Sequence, residues 1–382
     1  MNDRYRSLLL FLTLALGALA CGFPSPSQAP TAIAPAATEP LPLPTEPPPT
    51  AAPAADIAAV VAGDGQVKLY RLDGTLAATW DAPGIDWPRP DTVQVVGSSV
   101  YYINDAPAVT AVSEKGVSEF AYTATPNLTA FTVSPDEESI AWSTSTFGEA
   151  GIETELWRAA IDGTGMEMVA SSEPGDAFPE YFALEPVAFG SDGRLAYAWQ
   201  ITGIGGYILF FGYSSLYAFD PATSVHTPLA PLISDSTGPC WSGVRSDLAF
   251  AVGYCQWLDG GLAMRERNLS TGVETVFPTF PEQGQAGAGV YSPSGNRLAY
   301  AIARSNPDDE AGQIIVRLSP DAAPAPIASI ANGYAGRLFW LDEDRLLVGG
   351  MQNGVESVFL VGLDGILTKV ADGSLAGWMR LP

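Results

Sequence analysis

Carboxylates and aromatic side chains gather in five stretches of this 382-residue chain: Asp81, Asp86 and Trp87; Glu149 and Glu153; Asp176, Phe178, Glu180, Tyr181 and Phe182; Trp257 and Asp259; and Asp308, Asp309 and Glu310. A flat ring beside a carboxylate suits a sugar, a cationic group or Ca²⁺, which is the one cofactor these residue types suggest. Solvation alone also accounts for charges in any single loop. Other chemistries lack their parts. The single histidine, His226, stands between Val225 and Thr227, and no G-x-S-x-G occurs, so a Ser–His mechanism has little to build on. Cys21, Cys240 and Cys255 with that one histidine fall short of a usual zinc ligand set. Two acids about 5 to 9 Å apart could act as a hydrolase or lyase pair, and spacing along the chain does not test this.

Composition bounds what can position these groups. The apolar fraction is 47%, the charged fraction only 16%, and 39 Gly with 32 Pro imply many turns and short elements. A length of 382 residues admits two domains or one closed all-β ring. The 18 basic and 42 acidic residues give a net charge of −24, which repels nucleic acid and anionic headgroups. Nucleic-acid binding is excluded on that ground.

The first twenty residues read as an export signal. Arg4 and Arg6 precede an apolar run of 13 residues, Leu8 to Ala20, too short for a bilayer that needs about 20. Ala18-Leu19-Ala20-Cys21-Gly22 resembles the lipobox of bacterial lipoproteins, although Leu is commoner where Ala18 stands. That resemblance implies cleavage before Cys21 and acylation of its thiol, anchoring the chain outside a bacterial membrane; ordinary cleavage nearby would leave a spare thiol. Residues 21–55 follow as a stalk rich in Pro, Thr and Ala, including Pro47-Pro48-Pro49. Such a stretch favours extended polyproline conformations and cannot bury a core, and a ligand for an aromatic groove is its sharper alternative.

From residue 56 onward, two turn signatures alternate. Ser134-Pro135-Asp136-Glu137-Glu138, Ser191-Asp192-Gly193 and Ser292-Pro293-Ser294-Gly295 each feed a strand that opens Ile-Ala-Trp or Leu-Ala-Tyr. The second signature closes an apolar strand with Asp-Gly or Asp-Pro, at Asp73-Gly74, Asp162-Gly163, Asp220-Pro221 and Asp364-Gly365. Together they resemble the TolB-type, WD40-like propeller repeat, which implies an all-β, seven-bladed β-propeller over residues 56–382. Innermost strands are expected near Val93, Phe131, Val187, Val244, Val290, Phe339 and Trp378. The last has no strand after it, so 57–62, 67–72 and 75–80 should complete its blade and hide the ring's edges. A β-sandwich or two smaller β-domains is the alternative.

On the propeller reading, the five acidic and aromatic stretches fall on one face, with Asp86, Trp87, Glu153, Asp176, Tyr181, Trp257, Asp259, Asp308, Asp309 and Glu310 as candidate ligand residues. Cys240 would open an innermost strand and Cys255 follow its neighbour, so a disulfide is implied in an exported chain, with two buried thiols as the other outcome. The apolar stretch Thr202–Tyr213 is either packing or an exposed patch. The expected protein is a surface lipoprotein, monomeric, that binds an envelope protein or glycan without catalysis. An envelope hydrolase or lyase using the same acids is the competing reading, and a TolB-like assembly role a third. Replacing Cys21 by Ser is expected to release the protein from the membrane fraction; continued retention on fractionation would reject the lipid anchor.

Overall fold

The computed structural model describes residues 57–85, 92–149, 151–172, 182–201, 210, 212–230, 241–254, 263–281, 283–304 and 312–381, and the structural statements below concern these. The leader, Cys21, the 21–55 stalk, Cys240, Cys255 and most of Thr202–Tyr213 lie outside the described residues.

The described chain forms seven four-stranded antiparallel sheets. Six are built consecutively, with strands here called A to D from the axis outward. The seven A strands are Ser374–Arg380 in blade 1, then Val93–Val96, Leu128–Val133, Phe182–Phe189, Trp241–Val244, Gln285–Tyr291 and Gly333–Trp340 in blades 2 to 7. Each contains the residue expected innermost. Val93, Val95, Ser242, Val290, Phe339 and Ala376 from these strands line a central cavity of about 310 Å³. No described helix is long and apolar enough to cross a membrane.

The first turn signature joins A to B by side-chain capture of the backbone. In blade 3, the Ser134 hydroxyl donates to Asp136 Oδ1 at 2.5 Å and accepts the Ser139 N–H at 2.8 Å, while Asp136 Oδ1 accepts the Glu138 N–H at 3.0 Å. Serine and aspartate are placed there because they satisfy amides that the hairpin leaves unpaired. The fourth position needs positive φ, met by Gly193 at 79° and Gly295 at 73°. Glu137 occupies it at 59°, an unfavourable conformation for a residue with a Cβ, and its carboxylate accepts the Tyr101 hydroxyl of blade 2 at 2.9 Å. The C-to-D turns repeat the device: Asp73, Asp162 and Asp364 accept the N–H of Thr75, Thr164 and Ile366 at 2.8 to 3.0 Å. The Thr75 N–H holds the Asp73 carboxyl below the ordinary carboxylate value, and the Thr164 hydroxyl, with the Thr164 N–H, does the same for Asp162.

Alternation within B strands explains how blades pack. In blade 6, Leu298, Tyr300 and Ile302 face blade 5, whereas Ala299, Ala301 and Ala303 face blade 7. Blade 4 repeats this, with Leu195, Tyr197 and Trp199 against blade 3 and Ala196 and Ala198 toward blade 5. Large side chains on one face meet small ones on the next, so twisted sheets pack closely around a ring. Seven apolar clusters result, one between each pair of adjacent blades. Two D strands leave this packing: Gly116–Glu119 and Glu274–Val276 are exposed throughout.

Polar contacts reinforce the blade interfaces. Gln94 bridges to the inner edge of blade 3, accepting the Val133 N–H at 2.7 Å and donating to its carbonyl at 3.2 Å. Between blades 5 and 6, Arg317 grips Glu266 with two bonds of 2.6 and 2.7 Å, and the Tyr291 hydroxyl donates to the same carboxylate at 3.0 Å. Arg317 also lies over the Phe277 ring, 5.4 Å from its centroid. Burial beside Glu266 pushes the Tyr291 phenol far above its ordinary range.

Blade 1 joins the two ends of the propeller. Ser374–Arg380 pairs with Ile57–Gly63, placing Ala58 opposite Met379 and Ala62 opposite Ser374. Gln66–Arg71 and Leu76–Asp81 complete the sheet. Deleting residues 375–382 strips this blade of its inner strand, and a steep fall in melting temperature is expected; an unchanged transition would contradict closure by the termini. Changing Glu266 to Ala leaves the Arg317 charge buried alone, for an expected loss of about 3 to 5 kcal/mol in denaturant unfolding. A loss below about 1 kcal/mol, the level of an exposed pair, would contradict a buried ionic link between blades.

Candidate functional site

Blade 3 departs from the regular pattern. Its B and C strands, Ser139–Gly148 and Gly151–Ala160, run ten residues each. The other described strands have three to eight. The extended hairpin stands beside the connection from blade 2, where Ala121–Thr123 makes a single 3-10 turn. Between them opens a cleft of about 350 Å³, within the size range of small-ligand sites.

Register supplies the cleft's wall. Trp142 lies opposite Trp157, Thr144 opposite Glu155, and Thr146 opposite Glu153. The two-residue period of a strand turns all six side chains to one face. Trp142 is buried against blade 2, Trp157 and Glu155 are half-buried, and Glu153 is exposed at the rim. The Trp157 indole N–H donates to Glu155 Oε2 at 2.9 Å, which fixes both the ring and the carboxylate.

The opposite wall is equally fixed. Tyr122 meets Trp142 edge to face at 5.8 Å between centroids, and its hydroxyl donates to the Ile161 carbonyl at 2.7 Å. Gly163, with φ of 83°, lets the ring approach: a Cβ there would sit 2.7 Å from Tyr122 Cδ1. Burial, with the nearby Asp162 charge, pushes the Tyr122 phenol up to about 12. Asn127 closes the end by donating from Nδ2 to Thr146 Oγ1 at 2.8 Å. The cleft therefore combines fixed aromatic surfaces, hydroxyls and two carboxylates, and among the described residues no cationic side chain lines it.

Of the residues expected to form a ligand face, Glu153 is the one this cleft uses. Asp86, Trp87, Asp176, Phe178, Glu180, Tyr181, Trp257, Asp259, Asp308, Asp309 and Glu310 lie outside the described residues. Asp81 and Glu149 are exposed and do not line the cleft. Phe182 belongs to the core instead: it opens the A strand of blade 4 and is buried with Leu156 and Trp199, because the strand begins one residue earlier than the loop reading allows. His226 is exposed on the outer strand of blade 4, with Nδ1 2.9 Å from the Tyr197 hydroxyl. Among the described residues no three His, Cys, Asp or Glu side chains form a metal-holding group. Tyr122, Trp142, Glu155 and Trp157 were not expected in a site; the signal they offered was the uncommon length of alternation across residues 139–160.

No known protein family and no curated protein sequence matches this chain. Solved structures do. An oligogalacturonate lyase from Vibrio parahaemolyticus aligns with a TM-score of 0.53 at 9% identity, covering 79% of this chain and 85% of the lyase. An acylaminoacyl peptidase from Pyrococcus horikoshii aligns with a TM-score of 0.53 at 10% identity, covering 83% of this chain and 50% of the peptidase. TolB from Acinetobacter baumannii aligns with a TM-score of 0.44 at 12% identity, covering 84% of this chain and 82% of TolB. The likenesses to the lyase and the peptidase are of fold. The chain is a seven-bladed β-propeller.

Proposed function

We propose that this protein is a non-catalytic binding propeller, held by a lipid on Cys21 at the outside of a bacterial membrane, that presents the blade-3 cleft to an envelope glycan. The observation that carries this reading is the cleft itself. Three aromatic rings, each held by packing or a hydrogen bond, flank hydroxyls and carboxylates in a space of ligand size. Sugars bind by stacking their C–H faces on aromatic rings while their hydroxyls meet polar side chains, and both kinds of surface are present. A protein partner would meet the same face through the loops around it. The 21–55 segment would serve as the spacer between anchor and propeller.

The enzymatic alternative has one specific observation in its favour. Glu153 and Glu155 are two positions apart on one strand, which spaces their backbones by about 6.6 Å. That lies close to the carboxylate separations of glycosidases. Glu155 is tied to Trp157 and Glu153 is open to solvent, so neither has the apolar enclosure that prepares a carboxyl to act as a general acid.

Calorimetric titration of residues 56–382 with a panel of envelope glycans separates the readings. Saturable binding without release of new chain ends is expected, weakened at least about tenfold in Trp157→Ala with the melting transition retained. Chain cleavage that Glu153→Gln or Glu155→Gln abolishes would replace the binding reading with the enzymatic one. Loss of binding in Trp87→Ala or Trp257→Ala, but not Trp157→Ala, would move the site to the loops expected from sequence.

A further inference from the structure

We infer that the ligand of the blade-3 cleft is cationic, and specifically a glycan bearing protonated amino groups, that is, a de-N-acetylated amino sugar. This rests on the cleft being the glycan site. Its charge is one-sided. Glu153 and Glu155 contribute two carboxylates from strand C, whereas the facing connection offers Tyr122, Thr123, Thr125 and Asn127, and strand B offers Trp142 and threonines. Asp162, beyond Tyr122, adds negative charge. Among the described residues no lysine, arginine or histidine lines the cleft to neutralise these groups. Arg158, next along strand C, points away, pairing with Glu167 at 2.5 Å and lying over the Phe219 ring of blade 4.

The acceptors are those an ammonium group needs. The Trp157 indole engages one oxygen of Glu155, Oε2, and Glu155 lines the cleft together with Glu153, which stands exposed at the mouth. Tyr122, Trp142 and Trp157 present π surfaces that attract a cation and repel an anion. A neutral sugar would use the rings and hydroxyls but leave the two carboxylates uncompensated. A uronate would place its own carboxylate against them. Oligogalacturonate, the substrate in the name of the lyase that shares the fold, is thus the wrong charge for this cleft.

Three oligosaccharides of equal length decide the matter, titrated into the full chain in a non-ionic detergent: an N-acetylglucosamine oligomer, its de-N-acetylated counterpart and an oligogalacturonate. The expected order at pH 6 is de-N-acetylated about tenfold tighter than N-acetylated, with the uronate weakest. That preference should fall in 1 M salt, and again as pH rises and the sugar amines lose their protons. The Glu153→Gln, Glu155→Gln double variant should bind both glucosamine oligomers alike, because glutamine keeps an acceptor for the Trp157 N–H. Equal affinity of the wild-type chain for the two glucosamine oligomers, or tighter binding of the uronate, would overturn the inference while leaving the cleft as a glycan site. Absence of binding by all three would overturn both.

Discussion

The structure depends on strand pairing between the two ends of its ring. Ser374–Arg380 supplies the innermost strand of a sheet whose other three strands come from residues 57 to 81. Every sheet in a propeller is apolar on two faces, so an open array of seven would leave two such faces and an unpaired edge in water. Pairing the termini removes both at once: Ala58, Val60 and Ala62 pack toward blade 2, and Ala59, Val61 and Leu375 toward blade 7. Closure is thus a hydrophobic requirement enforced by backbone hydrogen bonds.

A closed ring of near-equivalent blades makes irregularity informative. Where the B and C strands stop level with their neighbours, their side chains are used up in packing. In blade 3 they continue, and the same alternation that buries Trp142 and half-buries Trp157 carries Thr144, Thr146, Glu153 and Glu155 beyond the cover of blade 2. The cleft is therefore an extension of the core's own period into solvent. Its rings are positioned by the fold, which lowers the ordering cost of binding.

Much of this was legible in the sequence because the repeat is written in turn chemistry. Ser134, Asp136, Asp73 and Asp162 are conspicuous since each captures a backbone amide, and those turns locate the strands between them. The turns mark five of the seven blades directly, and the repeat they resemble implies the other two and the shared first blade. Glu137 shows where the pattern breaks for a tertiary reason: it takes the glycine position of the turn, and its carboxylate reaches Tyr101 one blade away. The cleft was less legible. Trp142 and Trp157 read as ordinary strand residues, and their meeting depends on cross-strand register and on Tyr122, twenty residues before Trp142. Phe182 was misread because a loop-edge aromatic and the first buried residue of a strand look alike in one dimension. The lipid anchor and the cysteine pair concern positions outside the described residues and stand as expectations from motif and topology.

Hydrogen–deuterium exchange at single-residue resolution tests the closed ring most directly. The amides of Val60 and Val61 and those of Gly377 and Trp378 lie along the pairing that joins the ends. If that pairing holds the propeller together, they will exchange only through global unfolding, with the same opening free energy as the most protected amides of Leu298–Ala303 in blade 6. Fast exchange at Gly377 and Trp378 while blade 6 stays protected would show that the terminal strand detaches from an otherwise stable array, and would contradict the account.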